Sequence, residues 1–119
     1  MINGINSREM ILEILLEIEE GEHSHVAIRN ALSKYQFLPK QDRAFIPRVC
    51  EGTLEYRIQI DYIINSFSKV TVDKMKPAIR EILRSAVYQL KYMDQIPDSD
   101  LYGRLNGCLI IIYMKRDRP

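Results

Sequence analysis

The hydrophobic positions of this chain recur every three or four residues, which is the spacing of one face of an α-helix. Near the start, Asn6 and Glu9 have the spacing of a capping box, and Gly21 stands where a helix would end. These signals predict a first helix with one apolar face, made of Ile11, Leu12, Ile14, Leu15, Leu16 and Ile18. The opposite face carries four glutamates, Glu9, Glu13, Glu17 and Glu20.

The same spacing predicts further helices as far as Pro97. A second helix over about residues 24–35, capped by Ser24, would bury Ile28, Ala31, Leu32 and Tyr35. Helical spacing then continues over residues 40–67, but Pro47 and Gly52 fall inside this range. An internal proline destabilises a helix by about 3 kcal/mol, so we predict two helices or one kinked helix here. Another helix is predicted over residues 73–92, with Pro77 in its first turn. Its core face comprises Ile79, Ile82, Leu83, Ala86, Val87 and Leu90.

The pattern changes after Pro97. Gly103 and Gly107 interrupt the helical period, and residues 109–113 form an unbroken aliphatic stretch with high β-propensity. A last buried helix, an edge strand and an aggregation-prone tail are all compatible with that stretch. We therefore predict an all-α bundle over residues 1–99, followed by an atypical C-terminal tail over residues 100–119.

Size and composition indicate an ordinary globular domain. The chain has 119 residues, 46% of them hydrophobic, which is enough for one compact domain. Cys50 and Cys108 are too few for a disulfide framework, and the N-terminus shows no secretory signal. The longest apolar run is six residues, whereas a membrane helix needs about 20. We expect a cytoplasmic protein that does not span a membrane.

Few residues of this sequence suggest catalysis. His23 and His25 are the only histidines, and a zinc site needs three or four ligands, so solvent-exposed histidines are the favoured interpretation. Cys50 falls within a predicted helix, where a thiol is usually a small buried hydrophobe. No glycine-rich phosphate loop is present. We predict no catalytic residue, no metal site and no bound cofactor.

Charge is distributed unevenly along the chain. Residues 1–22 carry one basic and six acidic side chains, and residues 23–119 carry 16 basic and 10 acidic ones. One strip of the last predicted helix is basic and consists of Lys76, Arg80, Arg84, Lys91 and Tyr88. On an ideal helix its four cations lie within about 80° of one another, and the tyrosine lies at the edge. Such a surface suits single-stranded RNA, whose phosphates pair with cations and whose bases stack on aromatic rings. Alternatively, the glutamates of the first helix neutralise the strip within the bundle or across a dimer, and composition alone favours this alternative.

Three sequence motifs resemble one known family. The residues Gln41-Asp42-Arg43-Ala44, Gly52-Thr53-Leu54 and Ile60-Asp61-Tyr62-Ile63-Ile64 resemble the DRA, GTLR and LD pattern of the NusB-like domain that opens the ribosomal-RNA cytosine-5 methyltransferases RsmB (Sun). Residues 78–90, followed by Gln95-Ile96-Pro97, are similar to the LR, YQL and IP signature shared by that domain and the antitermination factor NusB. The likeness covers about residues 5–99, and the first pattern favours the methyltransferase version.

The resemblance implies an all-helical NusB-like bundle of two packed sub-bundles that binds RNA, with ribosomal RNA as the expected target. It implies that Arg84 and Arg8 contact RNA, and that a ribosomal protein is a partner, while core surface left uncovered at the C-terminal end makes a second copy of the chain an alternative partner. Beyond residue 98 the family's closing helix is missing or replaced. No methyltransferase region occurs in these 119 residues, so we expect no methyl transfer, and S-adenosylmethionine only if a separate catalytic domain is attached.

Overall fold

In the computed structural model, residues 6–97, 100–101 and 103–105 are described. Every regular element within these residues is helical, which confirms the predicted all-α class. The five α-helices are α1 (Ser7–Glu19), α2 (Ser24–Lys34), α3 (Lys40–Glu55), α4 (Arg57–Phe67) and α5 (Pro77–Val87). A 3-10 turn (Val72–Lys74) precedes α5, and a π-helical segment (Tyr88–Met93) follows it.

The chain divides into two compact units, Met1–Glu55 and Tyr56–Pro119. In the first unit, α1 packs against α2 and α3, and in the second, α4 packs against α5. The apolar core of the first unit is formed by Met10, Ile11, Ile14, Leu15, Ala27, Ile28, Ala31, Ile46, Val49 and Cys50. The core of the second is formed by Ile60, Ile64, Val72, Met75, Ile79, Leu83, Val87, Tyr88, Leu101 and Leu105. The boundary expected at residue 99 stays a prediction.

Helix α1 begins and ends where the sequence predicts. The Asn6 side chain accepts a hydrogen bond from the Glu9 backbone N–H at 2.9 Å, as an N-cap residue does. The Glu9 carboxylate accepts from the Asn6 side-chain amide at 3.1 Å, whereas a standard capping box would use the backbone N–H. At the other end, Gly21 adopts a φ of 115°, a conformation that side chains disfavour.

The predicted cap of α2 is wrong by one residue. His23 is the N-cap and makes no side-chain capping bond, while Ser24 is already the first helical residue. The carbonyl of His23 accepts from the Ala27 N–H at 3.0 Å, so helical hydrogen bonding starts before Ser24. The backbone hydrogen bond to the His23 carbonyl thus sets the start of α2, although serine is the better capping residue.

Helix α3 continues through both of its predicted breakers. Pro47 and Gly52 lie inside it, and the chain leaves helical geometry only at Tyr56, with φ −102° and ψ 19°. The prediction of two helices is correct, but its break point is wrong. Ile46 and Val49, on either side of Pro47, are fully buried, and burial of such side chains gains about 1.5–3 kcal/mol each. That gain offsets the cost of about 3 kcal/mol for an internal proline.

The single helix predicted over residues 73–92 consists of three different elements. Pro77 is the first residue of α5, as expected. Beyond Val87 the backbone hydrogen bonds span five residues instead of four, which is the π-helical pattern. For example, the Asp94 N–H donates to the Gln89 carbonyl at 2.8 Å. Gln95 then takes a φ of 56° and ends the segment. The helical period thus changes within the signature that the family resemblance rests on.

Gly103 does not interrupt helical structure, contrary to the sequence expectation. It lies in helical backbone between Leu101 and Leu105, which are both buried. Two buried leucines one turn apart outweigh the helix cost of glycine, about 1 kcal/mol. Gly107 and residues 109–113 lie outside the described residues.

Gly21 and Gly103, which are exposed in the described part of the chain, are expected to respond in opposite directions to alanine. At Gly103 an added Cβ meets no atom within 4 Å, so Gly103→Ala should raise the free energy of unfolding by about 0.5–1 kcal/mol. At Gly21 the space is equally open, but the positive φ makes Gly21→Ala destabilising by about 1 kcal/mol. Urea denaturation of both variants tests this. Shifts of the same sign would contradict it.

Candidate nucleic-acid interface

Arg84 lies at the centre of an ion-pair cluster within the second unit. Its Nε and Nη2 atoms donate to the two carboxylate oxygens of Asp61 at 2.8 Å each, and its Nη1 donates to Glu81 at 2.7 Å. The first pair has the bidentate geometry that makes arginine–carboxylate contacts strong. The side chain is only 11% exposed. Arg84 therefore links α5 to α4, and its Nε, Nη1 and Nη2 atoms all donate to carboxylates.

Burial sets the ionisation of this cluster. Burial raises the pKa of Glu81 above its ordinary value, against the opposing effect of the neighbouring Arg84 charge. Burial alone would lower the pKa of Arg84, but the hydrogen bond to Asp61 and the charge of Glu81 raise it instead. The arginine thus stays charged, whereas burial makes ionisation of the Glu81 carboxyl less favourable.

The other members of the basic strip differ in accessibility. Arg80 donates from Nη1 to the carbonyls of Val72 and Met75 at 2.9 and 3.1 Å, which fastens the 3-10 turn to α5. Lys76 is exposed at the N-terminal boundary of α5, and Lys91 is half-buried. Arg8 is exposed on α1. The groups of the strip that face water are therefore mainly lysines.

Tyr88 belongs to a cluster of three tyrosine rings. The ring centroids of Tyr56 and Tyr92 are 4.4 Å apart, and that of Tyr88 lies 5.6 Å from Tyr92. Tyr88 is 8% exposed, whereas Tyr56 and Tyr92 are half-buried. The Lys91 ammonium is 5.9 Å from the Tyr92 ring centroid. The partly accessible aromatic surface beside Lys91 therefore belongs to Tyr92 rather than to Tyr88.

The sequence contained some signals for these partners. Tyr88 and Tyr92 are four residues apart, so their contact could be predicted from helical spacing. The ion pair between Arg84 and Glu81, which are three residues apart, could be predicted from the same helical spacing. Asp61 on α4 and Tyr56 just before it are more than 20 residues away, and no local spacing identifies them. Every residue from 78 to 93 is buried or half-buried, so the strip contributes to the packing of the unit.

The thiol of Cys50 and the two histidine rings lie in different environments of the first unit. Burial raises the pKa of the Cys50 thiol to about 12, so almost none of it is the reactive thiolate at neutral pH. The rings of His23 and His25 stack at 5.9 Å between centroids at exposed positions at the start of α2. No three metal-ligating side chains gather anywhere in the part of the chain that the structure describes. Within the same ranges, no helix has the length and apolarity needed to span a bilayer.

Comparison with known proteins gives one consistent family. A model described as the NusB family matches residues 5–100. The probable ribosomal RNA small subunit methyltransferase B of Bacillus subtilis is 30% identical over 91 residues, covering 76% of this chain and 20% of that protein. The protein of the same description in Synechocystis is 31% identical over 96 residues, covering 80% of this chain and 21% of that protein.

A second group of relatives is closer to this chain in length. The transcription antitermination protein NusB of Desulforamulus reducens is 30% identical over 95 residues, covering 78% of this chain and 66% of that protein. The chain spans about a fifth of the methyltransferase relatives and about two thirds of the antitermination relatives. No solved structure matches it.

Proposed function

Because this chain belongs to the NusB family, we propose that it is an RNA-binding domain that positions ribosomal RNA and performs no chemistry with its own residues. The family match over residues 5–100 is the observation that carries the proposal. Two relatives are described as ribosomal RNA methyltransferases, which makes ribosomal RNA the proposed ligand. The alternative is a NusB-type antitermination factor that binds RNA and a ribosomal protein.

Within the RNA surface we propose two roles for the basic residues. Lys76 and Lys91 of the second unit contact phosphates, because they are exposed and half-buried, respectively, and Arg8, which is exposed on α1 of the first unit, makes a separate phosphate contact. Arg80 and Arg84 position this surface by joining α5 to the preceding turn and to α4. The tyrosine cluster that includes Tyr88 supplies an aromatic surface for a base.

Salt dependence tests this mechanism. Three phosphate contacts with a single strand predict a slope of about −2 for log K against log salt concentration, since each contact contributes about −0.7. Fluorescence anisotropy with a labelled single strand of ribosomal RNA measures it. Lys76→Ala should weaken binding and reduce the slope by about 0.7.

The control is Lys69→Ala, because Lys69 is an exposed lysine of the same unit that lies outside the proposed surface. It should leave the slope unchanged. Binding that does not respond to salt would exclude phosphate contacts, and equal effects of the two substitutions would exclude a specific role for Lys76. Absence of RNA binding would overturn the proposed function itself.

Protein docking is a second candidate function. Ile58 and Tyr62 lie one turn apart on α4 and are 86% and 77% exposed. Contiguous exposed apolar side chains mark protein interaction sites, and we propose that Ile58 and Tyr62 form such a patch. In a two-fold dimer the same patch faces itself, so one substitution alters both sides. Sedimentation should show association that Ile58→Lys abolishes, whereas a monomer at every concentration would remove self-association.

A further inference from the structure

The turn that joins α2 to α3 presents an aromatic ring to solvent. We call residues 34–40 the α2–α3 corner. Phe37 is 84% exposed there, although Leu38 beside it is half-buried. Burial of apolar surface is the main driving force of folding, so a phenylalanine left in water does not contribute to this core. Stability of the first unit therefore does not account for its presence.

The corner is held in place by a residue of the DRA motif. Arg43, on α3, donates from Nη1 to the Tyr35 carbonyl at 3.0 Å and from Nη2 to the Leu32 carbonyl at 3.2 Å. These carbonyls lie at the C-terminus of α2, where backbone acceptors have no helical partner. A positive group also stabilises this negative end of the helix dipole. The backbone on one side of Phe37 is thus fixed by charge-assisted hydrogen bonds.

No acidic side chain occurs in α2 or in the corner, and Asp42 is the first one that follows. Between Glu22 and Asp42 the sequence contains no acidic residue, while Arg29, Lys34 and Lys40 are all exposed. Lys34 and Lys40 each lie three residues from Phe37 in the chain, on opposite sides. An exposed ring between two lysines has the composition of a single-stranded nucleic-acid contact. Phosphates would meet the ammonium groups, and a base would stack on the ring.

The size of the apolar surface distinguishes RNA from protein as the ligand. A stable protein interface buries about 800 Å² on each partner, and one phenylalanine supplies roughly 150–250 Å². At the corner, Phe37 is the one large apolar side chain that the described residues leave fully exposed. A single ring is too small for a protein interface but matches one nucleobase.

We propose that the α2–α3 corner is a second RNA contact, in which Phe37 stacks on an unpaired base while Lys34 and Lys40 bind the flanking phosphates. This proposal rests on the proposed function. The corner lies in the first unit, as Arg8 does, whereas Lys76 and Lys91 lie in the second, so the corner can be tested separately from these two lysines. Arg43 is a positioning residue for the corner and does not touch RNA.

A tryptophan introduced at position 37 reports stacking directly. The chain contains no tryptophan, so Phe37→Trp creates a single fluorophore. Val70→Trp, at an exposed site in the other unit that belongs to neither proposed surface, is the control. During titration with single-stranded oligoadenylate, the emission of the first variant should be quenched as binding saturates. The emission of the second should stay constant.

The two readouts separate the two proposals. If anisotropy shows RNA binding while the emission at position 37 is unchanged, the corner is not a contact, and the proposed function stands. If no RNA binds by anisotropy, the proposed function fails and this inference fails with it. Equal quenching at both positions would also overturn the inference, because it would show no preference for the corner.

Two substitutions separate stacking from apolar contact. Phe37→Leu keeps the apolar bulk but removes the aromatic face, and should weaken RNA binding by about 5- to 140-fold, the range expected for one stacked base. Phe37→Tyr should retain the wild-type affinity. Circular dichroism should show an unchanged helical signal for both, since the side chain is exposed. Wild-type affinity in the leucine variant would overturn the stacking role.

Discussion

Replacing Arg84 by methionine is expected to lower the free energy of unfolding by about 3 kcal/mol. The substitution keeps much of the apolar stem but leaves Asp61 and the buried Glu81 without their cation, and removing one partner of a buried pair costs about 3–5 kcal/mol. The lower end applies because Asp61 is 22% exposed to water. Urea denaturation followed by circular dichroism measures the change.

The matched control is Arg57→Met on α4. Arg57 is an exposed arginine of the same unit, and surface substitutions of this kind usually change stability by less than about 0.5 kcal/mol. Arg84→Lys should be intermediate, because an ammonium cannot reproduce the bidentate contact with Asp61. A loss of under 1 kcal/mol in Arg84→Met would show that the cluster adds little to the fold.

The same cluster predicts a pH dependence of stability. Because the pKa of Glu81 is raised in the folded state, the folded protein holds a proton there at a pH at which the unfolded chain has lost it. The resulting stability is present below about pH 4.5, the ordinary value, and is lost as the pH rises through the folded-state pKa. Glu81→Gln should remove this part of the dependence, which denaturation at several pH values can detect.

Replacing Arg43 by alanine is expected to destabilise the first unit by about 2 kcal/mol. Two charge-assisted hydrogen bonds to the carbonyls of Leu32 and Tyr35 are lost, and bonds to charged groups contribute about 1.5–3 kcal/mol. The Leu32 carbonyl then depends on water, whereas the Tyr35 carbonyl keeps the Leu38 N–H at 3.4 Å. Thermal and urea denaturation measure the change.

Arg48→Ala is the control, because Arg48 is an exposed arginine of the same helix. It should change stability by less than about 0.5 kcal/mol. Arg43→Lys should recover only part of the loss, since an ammonium cannot span both carbonyls with the fixed geometry of a guanidinium. If the alanine variants at the two positions were equally stable, Arg43 would have no structural role at the corner.

These variants also separate folding from RNA binding. Arg84 was predicted from the sequence to contact RNA, and that prediction is not tested by its ion pairs. If Arg84 acts by positioning, Arg84→Lys should weaken RNA binding and stability together. If it contacts phosphate, Arg84→Met, which removes the charge, should make the salt dependence of binding less steep by about 0.7, and Lys76→Ala should have an additional, separate effect.

Local patterns in the sequence determined most of the helices. Asn6 caps α1, Gly21 ends it with a positive φ, and Pro77 opens α5, because each depends on backbone groups within one turn of the residue. Family membership was also accessible from the sequence, since the spacing of three motifs was enough to indicate it. Where a distant element competed with the local signal, as at Pro47 and Gly103, burial of neighbouring side chains decided the outcome.

The tertiary structure decided what the basic residues do. Helical spacing shows that Arg80 and Arg84 lie on neighbouring positions of a helix, but not which groups from other elements lie beside them. Asp61, 23 residues before Arg84, supplies the carboxylate that holds it. The change from α- to π-helical turns after Val87 also shifts Lys91 away from the line that an ideal helix predicts. An ion pair between separate helices depends on how the chain packs, and periodicity along a single helix contains no information about that packing.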